Sequence, residues 1–188
     1  MIPHLLRSSI SPKFGLMKKW FVLSVLLICF SCSDGELQIE TLDFDSVSIQ
    51  DCDDIDVSTL NIFFKIDGDE ALILELENGA LNNGNSVTDT VQSSSAIPGA
   101  SRLIYRVFSD NVTSEYFCDQ FPPAEPNVIE EIEAESGNII VKSIAINDST
   151  QFSHTIQFEG IQLTNVSGER ITDLSINDFG IITTDIPN

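Results

Sequence analysis

Leu60-Asn61-Ile62-Phe63-Phe64-Lys65-Ile66, then Asp67-Gly68-Asp69, then Ala71-Leu72-Ile73-Leu74-Glu75-Leu76-Glu77 are two apolar runs separated by a tight polar turn. The period in both is two. In the first run Leu60, Ile62, Phe64 and Ile66 share one face, while Asn61 and Lys65 share the other, which reads as a half-buried strand. In the second, Leu72, Leu74 and Leu76 point inward and Glu75 and Glu77 outward. Asp-Gly between alternating runs supplies the positive φ that a short hairpin connection needs. The pair therefore predicts an antiparallel hairpin and sets the class as all-β.

The same pattern extends along the chain. Arg102 to Phe108 places Leu103, Tyr105 and Val107 on one side, and Ile139 to Ile146 is apolar on both sides, as in a central strand. Phe152 to Leu163 changes phase at Gly160, where Phe152, Ile156 and Phe158 give way to Ile161 and Leu163, which predicts a β-bulge at the glycine. Ile171 to Ile176 and Phe179 to Ile182 read as closing strands. Val128 to Glu135 is Glu-rich but reads as strand, because Ser136-Gly137-Asn138 behind it has the composition of a hairpin turn. Asn82-Asn83-Gly84-Asn85-Ser86 and Ser93-Ser94-Ser95-Ala96-Ile97-Pro98-Gly99 read as loops. Eight to ten short strands predict a single β-sandwich domain, Ig-like or jelly-roll-like, with a small open barrel as the alternative.

Upstream, the chain carries an address. Lys18 and Lys19 precede an apolar run from Phe21 to Phe30 that ends in Ser31-Cys32-Ser33. A positive segment, a short apolar core and a small-residue cleavage site make a secretory signal, and the run is too short to span a bilayer. The pattern resembles a bacterial lipobox, which implies that Cys32 becomes the lipidated N-terminus. Residues 1–16 precede a better start at Met17 and are read as a mis-called start. The expected organisation is thus a signal over 17–31, a tether over 32–37 and one domain over 38–188. After Cys32 only Lys65, Arg102, Arg106, Lys142 and Arg170 are basic, against all 29 acidic residues, so five minus 29 leaves −24. A field of that sign repels phosphate backbones and excludes nucleic acid as a partner.

Cys29 falls in the signal and Cys32 takes lipid, which leaves Cys52 and Cys118 as a single pair in a compartment that permits disulfides. They are expected to be bonded.

Candidate chemistry is sparse. Asp51, Asp53, Asp54 and Asp56 crowd six positions and present hard oxygen ligands suited to calcium, although Ile55 and Asp56 break the spacing of an EF-hand loop. His154 is the one histidine after Cys32, which excludes two-His and three-His zinc sites, and its strand parity with Phe152, Ile156 and Phe158 reads as a core or edge histidine. No nucleophile-elbow or phosphate-loop motif occurs. A Ser/His hydrolase retains His154 as its one conceivable base, and paired carboxylates such as Glu130 with Glu131, or Glu133 with Glu135, are of the kind that serves a glycosidase. Glycan binding needs aromatic platforms, and with no tryptophan after Cys32 the candidates are Tyr116, Phe117 and Phe121. A pocket formed by Tyr116, Phe117 and the Asp51 to Asp56 loop would favour that reading. Arg102 and Arg106 share a strand face and are expected to pair with cross-strand Glu75 or Glu77.

The lysine pair, the Phe30-Ser31-Cys32-Ser33 box and the acidic Asp34 and Glu36 behind it resemble exported lipoproteins of Bacteroidota. Lys65 to Leu76, Leu103 to Phe108, and Tyr116-Phe117-Cys118 followed by Pro122-Pro123-Ala124-Glu125-Pro126 resemble an uncharacterised lipoprotein family of that phylum. This resemblance implies an outer-membrane lipoprotein, facing the periplasm or the cell surface, and no known activity. It also implies candidate O-glycosylation at Ser46, Thr90 and Ser149, each preceded by an aspartate. The function expected is a lipid-anchored, non-catalytic binding, scaffolding or assembly role with an envelope protein or glycan as partner. A calcium-assisted glycan binder is the alternative, and a carboxylate-dependent hydrolase the second.

Overall fold

The structure is a computed structural model, and it describes residues 42–52, 54–83, 90–146, 150–168, 170–171 and 177–185. The signal, tether, Cys32, Asp53 and Ser149 lie outside the described residues. Those described belong to one compact unit, residues 39–188. Their elements in chain order are β1 (Asn61–Asp67), β2 (Glu70–Leu76), β3 (Val91–Ile97), β4 (Arg102–Phe108), the single-turn helix α1 (Glu115–Cys118), β5 (Val128–Ile146), β6 (Gln151–Thr164), β7 (Arg170–Ile171) and β8 (Asp178–Asp185).

All described strand pairs are antiparallel, and they form one curled sheet that makes a half-barrel. The all-β class holds, and the arrangement is that of the small open barrel. Its two halves face each other across a shared core, as the layers of a sandwich would. Strand β5 is the reason. Its first third, Val128–Glu133, pairs with β4, while Gly137–Ser143 pairs with β3 on the same edge and Ala134–Ile146 pairs with β6 on the other. One long strand thus belongs to both halves. The sheet bends where the β5–β6 register slips twice, between Ala134 and Asn138.

Glycine permits that bend. Gly137 has φ +136°, and a Cβ there would lie 2.6 Å from Ile161 Cδ1, so no other residue fits without displacement. Ser136-Gly137-Asn138 is therefore a bend within a continuous strand, and the hairpin turn expected there is absent. Opposite, Gly160 has φ +65° where three residues of β6 span two of β5, which is the expected bulge.

The expected β1–β2 hairpin forms, with Asp67 opposite Glu70 and Gly68 at φ +62°. Leu72, Leu74 and Leu76 are fully buried, each contributing roughly 1.5–3 kcal/mol by leaving water. Strand β1 has the opposite phase from that expected. Phe63 and Lys65 face the main core, while Leu60 and Ile62 are half exposed, at 50% and 48%. The cause is burial on both faces of this half of the sheet. Phe64, Ala71, Ile73, Ile104 and Phe108 form a second core on the outer face, under Val112, Tyr116 and Phe117. Ser93 to Ile97 is also corrected, from loop to strand β3. Its inward serines find acceptors, Ser93 Oγ on the Ala80 carbonyl and Ser95 Oγ on Ser101 Oγ at 2.7 Å, so a strand without apolar alternation is held by its pairing with β5. Of Ile171 to Ile176, only Ile171 is described, in β7; Phe179 to Ile182 lies within β8.

Candidate functional site

The surface feature with most chemical content is a slot of about 380 Å³ beside the N-terminal half of β1. Gln50 and Phe64 exchange both backbone hydrogen bonds, at 2.8 and 2.9 Å, which adds one rung outside β1. There the chain departs. The described residues 54–60 return to β1 through a turn in which Asp56 Oδ1 accepts from the Ser58 amide and hydroxyl, and Asn61 Nδ2 donates to the Asp56 carbonyl. The splayed segments enclose the slot. Leu60, Ile62, Ile73, Ile104 and Phe117 give it an apolar lining, and Asp51, Asp54, Glu75 and Arg106 surround them.

Backbone geometry adds a polar edge. Along an antiparallel ladder the N–H and C=O groups alternate sides every residue. Since Phe64 faces Gln50, Ile62 two residues earlier presents its N–H and C=O to the same side, away from β2. The far wall is fixed covalently. Cys52 is bonded to Cys118 at the end of α1, as expected, with Cα atoms 5.1 Å apart. Phe117, next to that cysteine, stacks on Phe64 with ring centroids 4.6 Å apart.

Charge on this face is arranged in three strands. Arg102 donates to Glu133 at 2.7 and 2.8 Å and to Glu75 at 3.1 Å, while Arg106 donates to Glu131 at 2.5 Å. The expected pairing with Glu75 is present, and the remaining partners are on β5. Arg102 holds the Glu133 carboxyl below its ordinary range, so that group is no proton donor near neutral pH. Glu135 accepts from Thr164 Oγ1. Asp51 and Asp54, by contrast, have no ion-pair partner among the described residues.

A second pocket, of about 490 Å³, lies where segment 45–49 approaches β8. Its buried wall holds Lys65, whose Nζ donates to the Phe44 carbonyl at 2.7 Å and sits 5.4 Å from the centre of the Phe179 ring. Burial pushes the ammonium below its usual range, and the carboxylates of Asp45 and Asp178 pull it partly back. Gly180 allows the close approach: a Cβ at this position, φ +135°, would be 2.9 Å from Ile49 Cδ1. Lys65 thus links the first strand to the last through side chains.

His154 is fully buried and lies between Ser143 Oγ, 2.7 Å from Nδ1, and Thr184 Oγ1, 2.8 Å from Nε2. Thr184 in turn donates to Asn83 Oδ1 at 3.5 Å. One assignment satisfies the chain: Ser143 donates to Nδ1, Nε2–H donates to Thr184, and Thr184 donates to Asn83. Burial lowers the imidazole pKa to about 4, so it is neutral over the physiological range. A Ser–His contact is present, yet both residues are sealed in the core and line neither described pocket.

The remaining predicted residues are placed as follows. Among the described residues no three of His, Cys, Asp and Glu converge as a metal cluster, and the Asp56 carboxylate is engaged by Ser58. Of the aromatic candidates, Tyr116 and Phe117 are half-buried against Phe108 and Phe64 and Phe121 is strongly exposed; Phe117 lines the slot with Asp51 and Asp54, and Tyr116 does not. Ser46 and Thr90 are exposed. Leu60 and Ile62 escaped the sequence reading as surface residues; the Phe63-Phe64 doublet, which makes both faces apolar, is the signal that could have found them. Comparison with known protein families, curated proteins and solved structures finds no match.

Proposed function

We propose that the protein is a lipid-anchored envelope protein, held at Cys32, that binds a partner through the slot beside β1 and catalyses no reaction. The observation that carries this reading is the pair of half-exposed aliphatic side chains, Leu60 and Ile62, in a slot whose far wall is fixed by the Cys52–Cys118 bond. Isolated exposed leucines are ordinary on protein surfaces. An apolar lining combined with an open strand edge and convergent polar groups is the usual composition of a recognition site. The strand-edge chemistry favours a polypeptide over a glycan, since an added strand uses the Ile62 N–H and C=O together.

Two experiments test the two halves of the proposal. Metabolic labelling with an alkyne-tagged fatty acid is expected to mark the wild type and to fail on Cys32→Ser; labelling of the variant would remove the anchor. For the slot, Ile62→Glu is compared with Ile181→Glu, a more exposed position on β8. After mild solubilisation of envelopes, the first variant is expected to run free of any larger complex while the second behaves as wild type. The same complex for both would remove the slot from the proposal.

A further inference from the structure

We infer that the partner is an extended polypeptide segment alternating apolar with basic residues, added as a strand to the edge of β1 at Ile62; this rests on the slot reading above. Four observations converge on that occupant. The Gln50–Phe64 rung shows that the edge of β1 accepts an outside strand, and among the described residues none forms the next rung, at Ile62. Ile62 offers one donor and one acceptor there, which is what an added strand uses. Side chains of an extended segment point alternately to opposite faces. Those sharing the outer face with Leu60 and Ile62 would pack on these two side chains, and the slot they enter is also lined by Asp51 and Asp54.

Charge selects the sign. Arg106 is held by Glu131 and Glu75 is shared with Arg102, whereas Asp51 and Asp54 have no ion-pair partner among the described residues. A lysine or arginine on the incoming segment would satisfy them. An acidic segment would be repelled both locally and by the −20 net charge of the chain. A second copy of this chain is disfavoured for the same reason, since pairing two such edges brings like charges together.

The test uses the full chain and a capped seven-residue peptide alternating lysine with valine, followed by fluorescence anisotropy and by amide hydrogen exchange at Ile62. Counterparts carry glutamate or threonine in place of lysine. The expected result is saturable binding of the lysine peptide with slowed exchange at Ile62, weakened about tenfold by Asp54→Lys, abolished by Ile62→Glu, and unchanged by Glu159→Lys, a remote exposed acid. Equal weakening by Asp54→Lys and Glu159→Lys would overturn the inference by showing diffuse attraction. Tighter binding of the threonine or glutamate peptide, still protecting Ile62, would overturn the basic partner while leaving the slot as a docking site. No protection of Ile62 by any peptide would overturn both. Concentration-dependent dimerisation with Ile62 protected would replace the partner with a second copy.

Discussion

Lowering the pH should unfold this protein partly through one histidine. His154 lies between Ser143 and Thr184 with no exposed surface, and its folded pKa is about 4, against about 6.5 in an unfolded chain. Above pH 6.5 the ring is neutral in both states and contributes no pH dependence. As the pH falls below 6.5 the unfolded state takes a proton that the folded state refuses, so stability declines until the folded ring also titrates near pH 4. The linkage relation gives a loss of about 2 kcal/mol between pH 7 and pH 5 and about 3 kcal/mol by pH 4. Carboxylates titrate in the same window, so the assay is a difference. Urea unfolding is measured at pH 7, 5 and 4 for the wild type and for a His154→Phe/Ser143→Ala/Thr184→Val variant, which replaces the polar chain with apolar groups and leaves no orphaned hydroxyl in it. The wild type should lose about 2 kcal/mol more than the variant between pH 7 and pH 5. Parallel pH profiles, or a wild type stabilised by acid, would refute the buried neutral imidazole.

Other parts of the fold carry their own expectations. Reducing the Cys52–Cys118 bond, which joins residues 66 apart, should cost about 4 kcal/mol in the chain-entropy model and lower the urea midpoint accordingly; an unchanged midpoint would show that α1 is held by its aromatic contacts alone. Gly180→Ala should destabilise by about 1–3 kcal/mol through its positive φ and the contact with Ile49, and a neutral result in thermal unfolding would mean that the edge of β8 yields freely. Lys65→Met and Lys65→Ala both leave the Phe44 carbonyl unpaired, at about 1–3 kcal/mol, and Lys65→Ala should cost about 2 kcal/mol more by opening a cavity. Equal costs for the two would mean that the ammonium, not the volume, holds the ends of the sheet together.

The hairpin, the leucine face of β2, the bulge at Gly160 and the core position of His154 were legible because each rests on local alternation or a local breaker. The phase of β1 was not. Phe63 and Phe64 are both apolar, and which one faces the larger core is decided by α1 and Val112, far along the chain. Lys65 reads as a surface residue locally; its partners, Phe44 and Phe179, come from opposite ends of the described chain. Strand β3 was obscured because Ser93, Ser94 and Ser95 lack strand propensity, and only pairing with β5 makes them extended. The bend at Gly137 imitated a turn since the same residue type serves both. As for the slot, its acidic rim was noticed as a metal candidate, but its apolar lining depends on the phase of β1 and its wall on the disulfide, so neither could be assembled from pattern alone.

Whether the slot beside β1 is the working surface is decided most directly by placing a photo-crosslinking amino acid at position 62, and separately at position 181, in cells that make the protein natively. The account predicts a discrete heterologous adduct from position 62, absent at position 181, whose crosslinked residue lies in an extended segment flanked by lysine or arginine. No adduct at position 62, or the same adducts from both positions, would contradict it.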